Sequence, residues 1–296
     1  MTTTTKSAFD EALLRRHENR PKRISYLGYV GVSMSLALII LLRRQRLLMA
    51  AIIALLPVTI PAATAYLSES EFADYGSQIF VHLVEQLHIN VLAPLLALFF
   101  ATMQVGEDVE SNTLVYMQTR PTPRSAWVLG RYLAYLVVTS LLLVVSIVLT
   151  FIASTSLPGI GINPSDVMLL AHYCGVALLA VMAYGALALL LGAATRRPIV
   201  YGVLLLYGWQ GLASAVPGVV DFLTIKKYTD ALLPVLATQR QNFSMETELG
   251  TFQKQVFLVD GISALATLFV ATALFLAYSI YCVRQREFAS SRAIGN

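Results

Sequence analysis

The chain has 296 residues, of which 57% are hydrophobic and 13% charged, with a formal net charge of +4. Globular domains carry about 45–50% apolar and about 25% charged residues, so a soluble fold of this length has nowhere to hide the apolar surface and the chain must use lipid as part of its solvent. The apolar residues come in runs of about 20, the length of a helix that crosses roughly 30 Å of hydrocarbon, which excludes a transmembrane barrel built from alternating runs of about 10.

The first 23 residues are polar and carry six Lys/Arg with no signal-type cleavage site, so residues 1–24 are expected to form a cytoplasmic basic tail. Seven apolar runs follow, near 25–42, 47–67, 87–105, 126–153, 167–195, 198–220 and 256–282. The distribution of Lys and Arg decides how many of them cross, because basic residues near span ends stay on the cytoplasmic side. If the first run does not cross, 17 basic residues lie inside and 4 outside; if it crosses, the split is 11 to 10. The expectation is therefore an all-α integral membrane protein of six spans. Residues 25–46 form a cytoplasmic interfacial elbow helix, residues 47–282 the six-span domain, and residues 283–296 a cytoplasmic tail.

Outer loops are expected at about 68–86, 154–166 and 221–255. Pro217-Gly218, ahead of the last of these, points to a broken helix that turns back on itself. Cys174 and Cys282 both fall inside apolar runs and are expected to be small core residues. His82, Glu85 and His88 have helical spacing i, i+3, i+6, which suits a metal, but they lie near the outer end of a span and are taken to mark the water boundary. No metal site and no cofactor are expected.

The chemistry offered to a soluble partner is concentrated between the second and third spans. Acidic residues come first (Glu107, Asp108, Glu110) and basic ones last (Arg120, Arg124), which suits a short helix whose dipole is complemented at both ends. Pro121 and Pro123 stop that helix and impose an extended exit before Trp127. Val109, Thr113 and Tyr116, at i, i+4 and i+7, present one face. From physics alone an ordinary solvated loop is an equal reading.

Residues 107–134 resemble the loop of ABC-2 type transporter permeases, a family that includes the copper-processing permeases of nitrous oxide reductase maturation. The matching elements are Glu107-Asp108, Thr113-Leu114, Thr119-Arg120-Pro121, Arg124 and Gly130-Arg131, in order. Asn112 departs from the Gly common before Thr-Leu. Trp209-Gln210 resembles a Trp-Glu pair in the fifth span of some relatives, with the charge removed; a polar packing contact is the preferred role of Gln210.

The chain has no G-x-x-x-x-G-K-[ST] and no Gly-Lys dipeptide, so it carries no P-loop and is not expected to be an enzyme. The resemblance implies a separate ABC ATPase, with residues 107–120 as the coupling helix and Glu107, Asp108, Glu110, Thr113, Leu114, Tyr116, Arg120 and Arg124 as its coupling residues. It also implies a second copy of the chain; the count of basic residues places both termini on the cytoplasmic side of the cell's inner membrane, and an outer-face partner is a further expectation. No nucleic-acid partner is expected. The alternatives are a membrane anchor or assembly factor for a soluble complex, and an ATP-independent carrier or channel.

Overall fold

The computed structural model describes residues 25–67, 76–110, 123–157, 159–195, 197–215, 219–233, 243–247, 250–254 and 259–285. The fold is helical and that of a multi-pass membrane protein: five helices are long and apolar enough to cross a bilayer, namely Arg44–Thr64, Gly76–Gln104, Arg124–Ser154, Pro164–Ala194 and Gly261–Gln285. The first is built from α2 (Arg44–Leu55), one 3-10 turn (Leu56–Val58) and α3 (Thr59–Leu67). Pro57 accounts for the turn, since it removes a backbone donor from the ladder.

The second begins as α4 (Gly76–Leu83), widens into a π-helix (Val84–Leu92) and continues as α5 (Ala93–Glu110). The third and fourth, α6 (Arg124–Ser154) and α7 (Pro164–Ala194), have 31 residues each, about 46 Å at 1.5 Å per residue. Proline sits at the start of each: Pro123 is extended (φ −66°, ψ 124°) and Pro164 is the first residue of α7. The extended exit expected at Pro123 is present. Gly159, at φ 94°, takes a backbone conformation that a side chain would strain, and so permits the reversal between α6 and α7.

After α7 come α8 (Pro198–Val203), a second π-helix (Leu204–Trp209) and α9 (Gln210–Ala215). A 3-10 turn (Val219–Leu223) straddles the start of the expected outer loop, and α10 (Ile225–Ala231) lies within it. That loop also holds an antiparallel hairpin, β1 (Phe243–Thr247) paired with β2 (Gly250–Lys254), with Phe243 opposite Lys254. The hairpin adds strand to a chain expected to be helical throughout. The last helix, α11 (Gly261–Gln285), runs past the expected boundary at 282.

The centre of the bundle is set by burial. Of the most apolar window of α7 and of the second crossing helix, 67% is buried, against 22% for the first and last crossing helices. α7 therefore packs on α5, α6 and α11, and its buried face is lined with Ala177, Ala180, Ala183, Ala186 and Ala188. Small side chains let helices approach closely where lipid competes for apolar contact. The peripheral helices instead expose Leu48, Ile52, Phe269, Val270 and Leu274, residues that are stable in acyl chains and not in water.

The helix before the first crossing, α1 (Tyr26–Leu41), is 16 residues long and capped by Ser25, whose hydroxyl accepts from the Gly28 amide at 3.2 Å. At about 24 Å it is shorter than roughly 30 Å of hydrocarbon. It lies along the start of α6 with Val30, Ser33, Ala37 and Leu41 buried. Its outward face is apolar too, with Leu27, Val32, Leu36 and Ile39 exposed, so it lacks the charged face of a helix that floats on headgroups.

Candidate functional site

The two helices that carry the charged loop are fastened at its root. α5 runs on through Glu110, so Glu107, Asp108 and Glu110 occupy the last turn of the second crossing helix. The described helix thus enters the first residues of the segment 107–120 that is expected to form the coupling helix. Thr113, Leu114, Tyr116 and Arg120 lie outside the described residues. Arg124 is exposed at the first position of α6, and its Nη1 donates to the Arg284 carbonyl at 2.7 Å. It thereby satisfies a carbonyl at the end of α11 that has no partner within its own helix.

One turn further along α6, three neighbouring residues make three different contacts. The Trp127 carbonyl accepts from Ser33 Oγ of α1 at 2.9 Å. Gly130 is where α1 comes closest: a Cβ there would stand 2.6 Å from the Val30 carbonyl oxygen and 2.8 Å from the Met34 nitrogen. Arg131, only 3% exposed, donates from Nη1 to the Gln104 carbonyl of α5 at 2.6 Å, and its guanidinium stacks over the Trp127 ring at 4.9 Å. The Gln104 amide and Trp127 Nε1 are buried and have no hydrogen-bond partner among the described residues. Gly130-Arg131, a pair read from sequence as part of a motif, thus joins α1, α5 and α6.

A second polar set was missed. Glu85 and His88 do not mark a water boundary: they are 2% and 0% exposed, inside the bundle on the π-helix. His88 Nδ1 lies 3.3 Å from the Leu83 carbonyl, and Nε2 lies 3.0 Å from Ser146 Oγ and 3.4 Å from Thr150 Oγ1 of α6. Ser146 Oγ also bonds to the Ala54 carbonyl of α2. Phe80 closes the cluster, edge-on to Phe151 at 5.3 Å and to Tyr173 at 6.1 Å. Tyr173 is fully buried, and its hydroxyl has no partner among the described residues.

The available signal was the i, i+3 spacing of Glu85 and His88 in a polar-looking stretch. What hid the placement is that the helix starts at Gly76, so these residues lie about 13–18 Å inside its end at 1.5 Å per residue. His82, one turn earlier, is exposed. Among the described residues no group of three or more His, Cys, Asp or Glu is placed to hold a metal.

The segment after Pro217-Gly218 folds back onto the bundle. Thr224 caps α10 through the Lys227 amide, Lys227 Nζ pairs with Asp221 at 3.4 Å and lies 3.8 Å above the Phe222 ring, and His172 Nε2 donates to the Leu232 carbonyl at 2.8 Å. α10 packs on α7 and α11. Tyr228 donates to the Phe222 carbonyl at 2.9 Å; burial, reinforced by the Asp221 carboxylate, raises its phenol above the ordinary value and keeps it a donor at neutral pH. Gln210 accepts from Tyr184 at 3.1 Å, a polar contact between helices. Cys174 and Cys282 are half-buried free thiols packed against the core.

No curated protein matches the chain. A family model spanning residues 47–289 does, which takes in the long apolar helices from residue 47 onward and leaves out α1. The chain belongs to the family described as Protein of unknown function (DUF2705).

Proposed function

We propose that this chain is the transmembrane permease subunit of an ABC transporter, which couples ATP hydrolysis by a separate ATPase subunit to export or to a conformational relay across the membrane. The observation that carries this reading is the way the charged loop is rooted. Arg131 ties the start of α6 to the end of the helix that enters the loop, and Arg124 ties it to the end of α11. A push on the loop therefore reaches two other helices without bending a free linker. The order of acidic residues, Thr-Leu, Thr-Arg-Pro and Gly-Arg supports the same reading, with residues 107–120 as the docking segment.

In this reading there are six crossings. The five long helices are joined by Pro198–Ala215, whose 18 residues reach about 27 Å. Tyr26–Leu41 is the elbow, sunk among acyl chains with its N-terminus cytoplasmic, as the 17-to-4 distribution of basic residues requires. Two copies receive ATP-driven closure of two ATPases, and free energy enters as the differential affinity of that pair for two permease states. The assembly resides in the cell's inner membrane and presents the 219–254 region to an outer-face partner.

The test is copurification of an ABC ATPase from the native membrane in gentle detergent, followed by reconstitution. A Glu107→Ala, Asp108→Ala, Arg120→Ala triple variant should insert normally and lose stimulation of the ATPase. Full stimulation by that variant, or absence of any ATPase from the wild-type complex, refutes the proposal and favours a membrane anchor.

A further inference from the structure

The joint between α1 and α2 gathers positive charge that the surrounding helices do not neutralise. α1 ends at Leu41, α2 begins at Arg44, and Arg43 between them is extended (φ −54°, ψ 125°), so the chain changes direction at a basic run, Arg43, Arg44 and Arg46. Residues 25–67 contain no Asp or Glu, and neither does α6, on which both helices pack. Arg43 and Arg44 are exposed, and neither guanidinium has a hydrogen-bond or ion-pair partner among the described residues.

The setting of these charges is apolar. Ile39 and Leu42 before the joint are 69% and 51% exposed, and Leu48, Met49 and Ile52 after it are 51%, 57% and 69% exposed. Depth agrees with lipid on both sides. The crossing helix Arg44–Thr64 has 21 residues, about 32 Å at 1.5 Å per residue, against roughly 30 Å of hydrocarbon. Arg44 therefore stands at the edge of the hydrocarbon, level with lipid phosphates, and has apolar surface beside it for acyl chains.

Charge and shape together select the occupant. A guanidinium fork matches two oxygens of a phosphodiester. A group of guanidiniums without carboxylates favours a headgroup of net negative charge over one whose phosphate is balanced by its own ammonium. A soluble anion would meet the charge but cover none of the apolar surface on either side.

We propose that Arg43 and Arg44 form a binding site for one anionic phospholipid, with its phosphate held by the two guanidiniums and its acyl chains lying along Ile39 and Leu42 on one side and Leu48 and Ile52 on the other. The site is independent of the ATPase reading. A lipid seated there braces the joint from which α1 runs back to α6, where Ser33 bonds to the Trp127 carbonyl and Gly130 receives the backbone of α1.

The test is native mass spectrometry of the full chain in detergent, titrated with phosphatidylglycerol or with phosphatidylcholine of the same acyl chains. Wild type should bind the first phosphatidylglycerol about tenfold or more tightly than the first phosphatidylcholine, since each Lys or Arg near an anionic headgroup contributes about fivefold. An Arg43→Gln, Arg44→Gln variant should lose that preference. An Arg197→Gln, Arg284→Gln variant, which removes the same charge from exposed positions elsewhere, should keep it. Equal binding of the two lipids by wild type overturns the proposal, as does a preference that survives Arg43→Gln, Arg44→Gln or falls equally in Arg197→Gln, Arg284→Gln.

Should the Arg43→Gln, Arg44→Gln variant fail to insert, phosphatidylglycerol with a photoreactive diazirine on an acyl chain decides on the wild-type chain. Labelling should concentrate in residues 39–52 and be competed by unlabelled phosphatidylglycerol. Labelling spread evenly over the crossing helices overturns the proposal, and so does equal competition by inorganic phosphate at the same concentration, which would make the ligand a free anion.

Discussion

Substituting Gly130 by alanine tests the contact between α1 and α6 directly. The added Cβ would lie 2.5 Å from Ser33 Cβ, 2.6 Å from the Val30 oxygen and 2.8 Å from the Met34 nitrogen. Two of these atoms are backbone, so no side chain can swing clear and α1 must retreat by about 1 Å. Overpacking of this kind costs about 1–3 kcal/mol, and the retreat also weakens the bond from Ser33 Oγ to the Trp127 carbonyl, worth about 1 kcal/mol. Alanine recovers at most about 1 kcal/mol of helix propensity.

The expected net loss is about 1–3 kcal/mol. Gly31→Ala is the control, because a Cβ there meets nothing within 4 Å; it should be neutral or stabilising by up to about 1 kcal/mol. Both are read by equilibrium unfolding in mixed detergent–SDS micelles, with Trp127 as an internal reporter that sits in the affected contact. If Gly130→Ala is as stable as Gly31→Ala, the close approach of α1 to α6 is wrong.

Gly185→Ala should fail for a related reason: its Cβ would strike the ring of Tyr135, which is fully buried and held by a bond from its hydroxyl to the Val181 carbonyl at 3.0 Å. The same unfolding assay should show a loss of about 1–3 kcal/mol, and Gly175→Ala, in open space on the same helix, should show none. Arg131→Lys keeps the charge but loses the planar stack on Trp127 and the fork that reaches Gln104. It should destabilise by about 1–3 kcal/mol and shift Trp127 emission, whereas an unshifted spectrum would mean that the stack is absent. A double-mutant cycle on Asp221→Asn and Lys227→Met should give a coupling of about 0.5–1 kcal/mol that shrinks in high salt, since the Asp221 side chain is 19% exposed.

Much of this architecture is legible in order along the chain. Runs of about 20 apolar residues, Pro123 and Pro164 at helix starts and the separation of basic from acidic residues are local properties, readable one window at a time; the break expected at Pro217-Gly218 lies outside the described residues. Each element forms because lipid leaves the backbone no partner but itself. The family match over residues 47–289 covers the same crossing helices. Glu107, Asp108 and Glu110 were legible as a charged cluster, yet their place on the last turn of α5 was not.

Sequence by itself determined that this is a helical membrane protein and that Gly130 and Arg131 stand next to each other in a motif. Only the tertiary structure decided that Gly130 receives α1, that Arg131 reaches Gln104, and that Glu85 and His88 turn inward onto Ser146 and Thr150. Hydropathy specifies how long a helix is and that lipid surrounds the bundle. It does not specify how each helix is rotated about its axis, and a half-turn of the second crossing helix would send His88 into the acyl chains. That rotation is settled by contacts between residues 27–100 positions apart, where the hydrogen bonds of Ser146 and Arg131 and the close approach at Gly130 select one packing among several of similar apolar area.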